Sequence, residues 1–400
     1  YTFYKVGSRN EYPGITGLAH YFEHMMFNGT TRRAPGEFDR TMEAAGGSNN
    51  ASTSNDLTIY TDWFPSSALE TIFDLEGDRM ANLSFDPKVI ESERGVVYSE
   101  RRSSVDNDNF GTLLEQLQAT AFTAHPYQFP TIGWPSDIEH WKLEDLKKFF
   151  KTYYAPNNAV LVIAGDVDPA QVFALADKYL APLQKQPEPA PITTIEPEQQ
   201  GERRIVVERA DAQSPIVAYA FHSGLGAGSK DYPTLELLTT ILSQGDSSRL
   251  HQRLVEKEQA AVQAGAFADQ GFDPGLLTVY AMLPPGGDVA KAEALLDDEL
   301  ARIARDGVTA DELAKARNLK ASSFWRGMAT INGKARALGT YEVFQGDYRK
   351  LFDAPAAYDA VAAADVQALA KKILRIQNRT TGLLKPVAAT PSADNKEGAK

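Results

Sequence analysis

Apolar residues recur at helical spacing between Gly17 and Phe27, and this pattern predicts a buried amphipathic helix. On such a helix, His20 and His24 lie one turn apart and point the same way. Glu23, beside the second histidine, can reach the same space without binding a metal itself. Paired histidines on an apolar helix can also be ordinary core residues. However, the chain has only six histidines, and a buried charge without a partner is costly, so we interpret this stretch as a zinc-hydrolase type of metal site.

The stretch from Asn49 to Trp63 is polar, β-branched and partly alternating, which predicts an exposed strand or hairpin. Two interpretations stay open for it. It is either a solvated hairpin or an edge strand that takes a peptide as an added strand through main-chain hydrogen bonds.

Two helices are predicted next, from Pro65 to Ala81 and from Asp86 to Arg102. Glu93 and Glu100 are two turns apart on the second of these helices and share a face. Acidic residues on a helix are usually solvated, so the pattern alone does not choose the third metal ligand. It must be an Asp or Glu, or one of the remaining histidines: His125, His140, His222 or His251. His125, followed by Pro126, is expected to close a turn.

The chain divides near a segment with four prolines, Gln184 to Gln200, whose composition is typical of an interdomain linker. The helix, turn and strand at 143–163 have a weak echo 220 residues later, in which Asn158 aligns with Asn378. The second half is expected to include strands at 204–208 and 215–221 and one long helix from Ala310 to Leu338. We predict an α+β fold with two homologous α/β domains, each a mostly antiparallel sheet covered by helices. The predicted bounds are 1–185 for the metal-bearing domain, 186–200 for the linker, 201–388 for the second domain and 389–400 for a disordered tail.

Composition narrows the classes of function. Apolar residues make up 43% and charged residues 24% of the 400, as in a globular protein. The net charge of −12 argues against nucleic acid as the main partner and favours basic peptides. The absence of cysteine excludes disulfides, thiolate nucleophiles and cysteine-type zinc sites, so a metal must be held by histidine and carboxylate. No apolar run is long enough to predict a membrane span.

The first residues, from Tyr1 to Val6, have the pattern of a strand already in progress and include no initiating Met. We therefore expect a start that is truncated or processed. This expectation favours a bacterial periplasm as the compartment, with the cytoplasm as the alternative.

Several motifs together resemble one known family. They are Gly7-Ser8-Arg9-Asn10-Glu11, the stretch from Gly17 to Thr30, Asn50-Ala51-Ser52-Thr53, and Glu93-Arg94-Gly95-Val96-Val97-Tyr98-Ser99-Glu100. The chain resembles the pitrilysin/insulinase family of inverted zinc peptidases, in the two-domain branch that includes the mitochondrial processing peptidases. Pro156-Asn157-Asn158 and Ser247-Ser248-Arg249-Leu250 extend the resemblance over essentially the whole chain. It is highly specific in the first half and looser in the second.

This resemblance implies a role for each matching residue. Glu100 corresponds to the third zinc ligand beside His20 and His24, with one zinc ion per chain, and Glu93 to the acidic residue that orients the site. Glu23 corresponds to the general base that activates a zinc-bound water for attack on a peptide bond. The strand of Asn50, Ala51 and Ser52 corresponds to the edge along which a peptide substrate lies.

The chain departs from the family in its second half. The family has an Arg and a Tyr, seven residues apart, that bind substrate and stabilise the oxyanion, and here these positions are Val255 and Val262. A homodimer would carry Val in both copies. We therefore expect this chain to be the zinc-bearing subunit of a bacterial heterodimer, whose homologous partner lacks zinc ligands and supplies the Arg and Tyr. The alternatives are a non-catalytic structural subunit and a peptide-binding subunit without turnover.

Overall fold

The computed structural model describes residues 1–387, so the tail predicted at 389–400 lies outside the described residues. The described strands are β1 Thr2–Tyr4, β2 Ser48–Thr53, β3 Thr58–Trp63, β4 Ala159–Leu161, β5 Arg203–Arg209, β6 Ile216–His222, β7 Gln263–Ala268, β8 Leu276–Met282 and β9 Arg379–Pro386. The α-helices are α1 Leu18–Met25, α2 Glu37–Ala44, α3 Leu69–Asn82, α4 Pro87–Arg101, α5 Asn109–Ala121, α6 Pro135–His140, α7 Leu143–Tyr153, α8 Pro169–Tyr179, α9 Tyr232–Ser243, α10 Val289–Asp306, α11 Ala310–Met328, α12 Ile331–Gln345, α13 Ala354–Ala360 and α14 Ala363–Ile373. Between α8 and β5 the chain has neither helix nor strand, and we call the parts before and after this segment the first and second halves.

The first half is built on a four-stranded sheet in the order β2-β3-β1-β4, in which every pair is antiparallel. β2 lies at one edge, paired with β3 from Ser48 opposite Trp63 to Thr53 opposite Thr58. Its outer side has no strand partner among residues 1–387. Helix α1 packs on this sheet, where the buried Tyr60 hydroxyl of β3 donates to the carbonyl of Phe22 at 3.0 Å. The metal helix is thus fixed to the same sheet that presents the free edge.

The second half is built on a five-stranded sheet in the order β5-β9-β6-β8-β7. β5 and β9 run parallel, and the other pairs are antiparallel. Apolar side chains from β6 and β8, such as Val217, Phe221 and Val279, form one core with α9, α10 and α14. Two mostly antiparallel sheets, each covered by helices, confirm the predicted fold class.

Corresponding contacts recur in the two halves. The side-chain amide of Asn158 donates to the carbonyls of Lys5 and Tyr153, and that of Asn378 donates to those of His222 and Ile373. Likewise, an Arg on α4 or α11 donates to a main-chain carbonyl, Arg94 to Ile138 and Arg317 to Val361. These repeats identify α11 as the counterpart of α4, and α9, which follows β6 as α1 follows β1, as the counterpart of α1.

The helix pair α9 and α11 is joined by an internal ion pair. The ammonium of Lys320 on α11 lies 2.7 Å from a carboxylate oxygen of Glu236 on α9. The hydroxyl of Tyr358 donates to the other oxygen of Glu236 at 2.6 Å. Among the described residues, the second half has no cluster of three metal-binding side chains at this place.

The two halves also pack against each other through apolar groups. α5, which belongs to the first half, lies on the second sheet, where Leu113 and Leu117 contact Ala218 and Leu384. At a second contact, Gly339 of α12 approaches the ring of Phe3 so closely that a Cβ would overlap it.

One arginine of the first half is completely buried. The guanidinium of Arg79 on α3 lies 4.4 Å from the centre of the Tyr60 ring and is also flanked by Phe27 and Phe38. It pairs with Glu76 one turn earlier and lies 3.9 Å from a carboxylate oxygen of Asp62. Burial, together with the charge of Glu76, raises the pKa of Asp62 to about 7. The buried guanidinium of Arg79 therefore compensates the charge of two carboxyl groups, Glu76 and Asp62, which would be costly to bury alone.

The structure differs from the prediction in two elements. The single helix expected from Ala310 to Leu338 is two helices, because the Thr330 hydroxyl accepts the amide proton of Gly333 and begins α12. The edge strand β7 was not predicted from the sequence. In the described part of the chain, no helix has the length and hydropathy needed to cross a membrane.

Candidate metal centre

Two local features hold α1 in place. Gly17 begins the helix in a left-handed conformation, with φ of 88°, and packs so tightly on Ile132 and Gly133 that a Cβ would overlap them. The buried carboxylate of Glu11 accepts the amide protons of Gly17 and Ala19, both at 2.7 Å. A carboxylate at a helix N-terminus satisfies free amides and complements the helix dipole. Burial raises the pKa of Glu11 well above its usual range, although these two hydrogen bonds oppose the shift.

Three side chains converge where α1 meets α4. A carboxylate oxygen of Glu100 lies 3.6 Å from Nε2 of His20 and 3.3 Å from Nε2 of His24. One donor atom from each of these residues lies within 4.8 Å of the other two. The structure thus brings together the two histidines predicted from the helical pattern and the glutamate implied by the family resemblance.

The donor set suits zinc. Two imidazole nitrogens and one carboxylate oxygen are common ligands of a catalytic zinc site, which keeps its fourth position open. A tetrahedron with bonds of about 2.0–2.1 Å has edges of about 3.3 Å, close to the separations of Glu100 from the two imidazoles. Burial, with a smaller contribution from His24, lowers the pKa of His20 to about 3, so its ring is neutral and has a lone pair to donate. The residues present therefore fit a zinc ion.

Glu93 supports His24 from behind. Nδ1 of His24 lies 2.7 Å from one oxygen of Glu93, and the side-chain amide of Asn28 donates to the other oxygen at 2.8 Å. If Nε2 of His24 binds a metal, Nδ1 must carry the proton and donate it to Glu93. Burial alone would lower the pKa of His24, but the hydrogen bond and charge of Glu93 raise it. Glu93 thus fixes the orientation and tautomer of this ring.

Replacing Glu93 by Gln is expected to weaken zinc binding by about 10- to 100-fold, because a neutral amide is a poorer acceptor for the Nδ1 proton of His24. Competition with a chromophoric chelator measures the zinc affinity. Glu91→Gln is the matched control, since Glu91 lies on the same helix but its side chain is 76% exposed and pairs with Arg94. Equal affinities in the two variants would contradict the role of Glu93.

Glu23 remains beside the three ligands and is not part of their cluster. Its carboxylate is half-buried and accepts a hydrogen bond from the hydroxyl of Thr53, the last residue of β2. Burial raises the pKa of Glu23, and the Thr53 hydrogen bond and His24 oppose the shift. This bond orients the carboxylate that can act as a base.

The predicted substrate strand is β2. Asn50 and Ser52 are exposed, whereas Ala51 packs partly against the core of the first half. The side-chain oxygen of Asn50 accepts the amide proton of Ala51 at 2.9 Å. The strand therefore presents a free edge that ends at Thr53, which bonds to Glu23.

The two valines of the second half differ in their surroundings. Val255 packs against the core of that half, and Val262 is 63% exposed. Neither side chain can donate a hydrogen bond.

The roles of three residues of the site were not identified from the sequence. Glu11 binds the N-terminal amides of α1, Asn28 donates to Glu93, and Thr53 donates to Glu23. Each makes a hydrogen bond that hydrophobic periodicity does not reveal, and for Asn28 and Thr53 the partner is also distant in the chain. His125, expected to close a turn, accepts the amide proton of Tyr127 at 3.2 Å and also lies 3.2 Å from Asp273 of the second half.

Two family models match the sequence. Residues 3–133 match the model described as insulinase (peptidase family M16), and residues 140–320 match the model described as peptidase M16 inactive domain.

Individual relatives agree with these matches. The zinc protease PqqE of Helicobacter pylori is 33% identical over 388 residues, which cover 96% of this chain and 86% of the relative. The crystal structure of a protease from Helicobacter pylori superposes with a TM-score of 0.92 at 32% identity, covering 96% of this chain and 92% of that one. The periplasmic protease PqqL of Escherichia coli matches in fold, with a TM-score of 0.78 at 18% identity, over all of this chain but 47% of its own.

Proposed function

This chain belongs to the insulinase family, peptidase family M16, and on that premise we propose that it is a zinc metalloendopeptidase that hydrolyses peptides or unfolded segments. The observation that carries the proposal is the convergence of His20, His24 and Glu100 beside a Glu23 that remains free of the ligand cluster. Three donors leave a fourth position open, as catalytic zinc sites do.

The proposed mechanism gives the residues of the site separate roles in metal binding and proton transfer. His20, His24 and Glu100 would hold the ion, which when bound acts as a Lewis acid and lowers the pKa of water towards 7. Glu23, oriented by the Thr53 hydroxyl, takes the proton from the attacking water and later gives it to the leaving amine. The carboxylate of Glu93 accepts the hydrogen bond from Nδ1 of His24 in every step.

The free edge of β2 suits an extended peptide. A peptide added along Asn50, Ala51 and Ser52 would gain main-chain hydrogen bonds that do not depend on its sequence. These contacts would place a peptide bond next to Thr53 and Glu23, at the end of the strand. The net charge of −12 favours basic substrates.

The missing Arg and Tyr support a requirement for a partner. The side chains of Val255 and Val262 supply no hydrogen-bond donor, so we infer a heterodimer with a homologous subunit that lacks zinc ligands and provides the pair. The PqqL chain is about twice as long as the part that matches this chain, which is consistent with two such halves in one assembly. A periplasmic location is part of the proposal and follows the description of PqqL as a periplasmic protease.

A non-catalytic subunit is the second candidate. It is favoured by the match of residues 140–320 to a model described as an inactive domain, and by the absence of a donor at Val255 and Val262. This candidate predicts zinc binding without peptide cleavage in any assembly.

The test compares the isolated chain with the complex recovered by co-purification, both loaded with zinc and given a library of denatured peptides. We expect the isolated chain to bind zinc but cleave poorly, and the complex to cleave at a rate at least about 100-fold higher, because the loss of one oxyanion donor costs about that much. Full activity of the isolated chain would refute the heterodimer. No cleavage by the complex would favour the non-catalytic candidate.

A further inference from the structure

One arginine is shared by carboxylates from the two halves. The guanidinium Nη1 of Arg9, in the first half, lies 2.8 Å from a carboxylate oxygen of Asp56 and 3.0 Å from one of Asp273. Asp56 precedes β3, and its side chain is 1% exposed. Asp273 belongs to the loop between β7 and β8 of the second half. We call Arg9, Asp56 and Asp273 the clasp.

Two neighbouring rings fix the geometry of the clasp. The hydroxyl of Tyr127 donates to Asp56 at 2.8 Å and accepts the amide proton of Asp273 at 3.1 Å. Nδ1 of His125 accepts the amide proton of Tyr127, so its Nε2 carries the ring proton and donates it to Asp273 at 3.2 Å. The space is filled closely, since a Cβ at Gly271 would overlap Tyr127 and Asp56. Asp273 is therefore held by several directional bonds.

On its other side, the clasp holds the turn that joins β2 to β3. The main-chain amides of Ser8 and Arg9 donate to the carbonyls of Ser54 and Asn55, at 3.2 and 2.9 Å. The turn is closed by the amide of Ser54, which donates to the carbonyl of Leu57 at 2.8 Å. Asp56 lies inside this turn, two residues from Ser54. A displacement of Asp56 or Arg9 would therefore move the end of β2.

The end of β2 is also where the first half holds its base. Thr53 immediately precedes the turn, and its hydroxyl donates to Glu23. A continuous series of bonds thus runs from Asp273 through Arg9 and Asp56 to the turn, and from the turn through Thr53 to Glu23. The loop of the second half is connected in this way to the residue that would take the proton.

The clasp is not needed to hold the halves together. α5 already covers the second sheet with Leu113 and Leu117, and Gly339 packs on Phe3. A buried ion pair contributes little to the free energy of association, because desolvation of the charges offsets much of their attraction. Such a pair does, however, specify one relative geometry of its charged groups. Two carboxylates sharing one guanidinium are better explained by a need to fix the position of the turn.

We propose that Asp273 is a positioning residue through which the second half sets the register of the β2 edge and the orientation of Glu23. This inference rests on the proposed peptidase function, and it assigns an active-site role to the half that matches the inactive-domain model. Asp273 lies outside the cluster of His20, His24 and Glu100, and it acts through Arg9 and the turn.

The test uses Asp273→Ala in the full chain, with amide hydrogen exchange followed by mass spectrometry. The Asp273 side chain is 34% exposed, so its truncation leaves no closed cavity. Exchange in residues 48–57 is expected to rise about 10-fold, while α7 is unchanged. Asp297→Ala is the matched control: Asp297, on α10, has a side chain that is 50% exposed and also pairs with an arginine, Arg379, but this pair lies within the second half. It should leave exchange in residues 48–57 unchanged.

A second measurement addresses Glu23. In the zinc-loaded complex, Asp273→Ala is expected to lower kcat by about 10-fold or more without loss of zinc, and Asp273→Glu to recover part of it. Unchanged exchange in residues 48–57 of Asp273→Ala, or an equal rise in Asp297→Ala, would overturn the proposal whether or not the chain is a peptidase. Increased exchange with normal kcat would also overturn it. By contrast, a wild-type complex without peptidase activity would count against the proposed function, and the exchange result would still decide whether Asp273 holds the turn.

Discussion

Replacing Glu23 by Gln is expected to lower peptide hydrolysis by about 1,000-fold while one zinc ion per chain stays bound. The amide keeps the shape of the carboxylate and can still accept the Thr53 hydroxyl, but it cannot take a proton from water, and general acid–base catalysis contributes about this much. The three ligand side chains are untouched, so the metal remains. Metal content by atomic emission and kcat/KM on a peptide library measure the two effects separately.

Glu43→Gln is the control for this variant. Glu43 is an exposed residue on α2 with the same change of charge. It should retain both zinc and activity. Normal peptidase activity in Glu23→Gln would remove Glu23 as the base and with it the assignment of the mechanism. Loss of zinc together with activity would instead show that Glu23 supports the metal.

The second large effect concerns stability. Replacing Arg79 by Met is expected to lower the free energy of unfolding by about 3–5 kcal/mol, the usual cost of removing one partner of a buried ion pair. Glu76 and Asp62 would lose the buried guanidinium beside them, and the rings of Tyr60 and Phe38 would lose the cation that they flank. Urea unfolding followed by circular dichroism measures the change.

Two further variants separate charge from packing. Arg32→Met removes an arginine whose side chain is 54% exposed, and it should change stability by less than about 1 kcal/mol. Arg79→Met combined with Glu76→Gln removes both charges of the closest pair and should be more stable than Arg79→Met alone. If the double variant is less stable than Arg79→Met alone, the unpaired carboxylate of Glu76 is not the cause of the lost stability in Arg79→Met.

The sequence predicted those parts of the site that depend on local periodicity. His20 and His24 share a face because they lie one turn apart on one helix, and no tertiary information is needed to see this. Glu93 and Glu100 share a face of α4 for the same reason. However, the pattern alone did not choose Glu100 among the carboxylates; that choice came from the family resemblance.

Contacts between distant segments were not predictable in this way. Glu11 caps α1 from a preceding loop, Thr53 reaches Glu23 from another strand, and Asp273 reaches Arg9 from the other half. No periodic pattern encodes these pairs, since each depends on how the sheets and loops come together. The edge strand β7 was missed because its sequence, from Gln263 to Ala268, is rich in Ala and Gly, which are depleted in strands.

The duplicated helix pairs have a thermodynamic consequence. In the second half, α9 and α11 are tied by Lys320 and Glu236, whose charges belong to the chain itself. In the first half, the corresponding α1 and α4 would be tied by an ion that can dissociate. A ligand that binds only the folded state stabilises it in proportion to the logarithm of its free concentration. Zinc supply would therefore act directly on the stability of the first half, and it would affect the second half only through the contacts between the two, such as α5 on the second sheet.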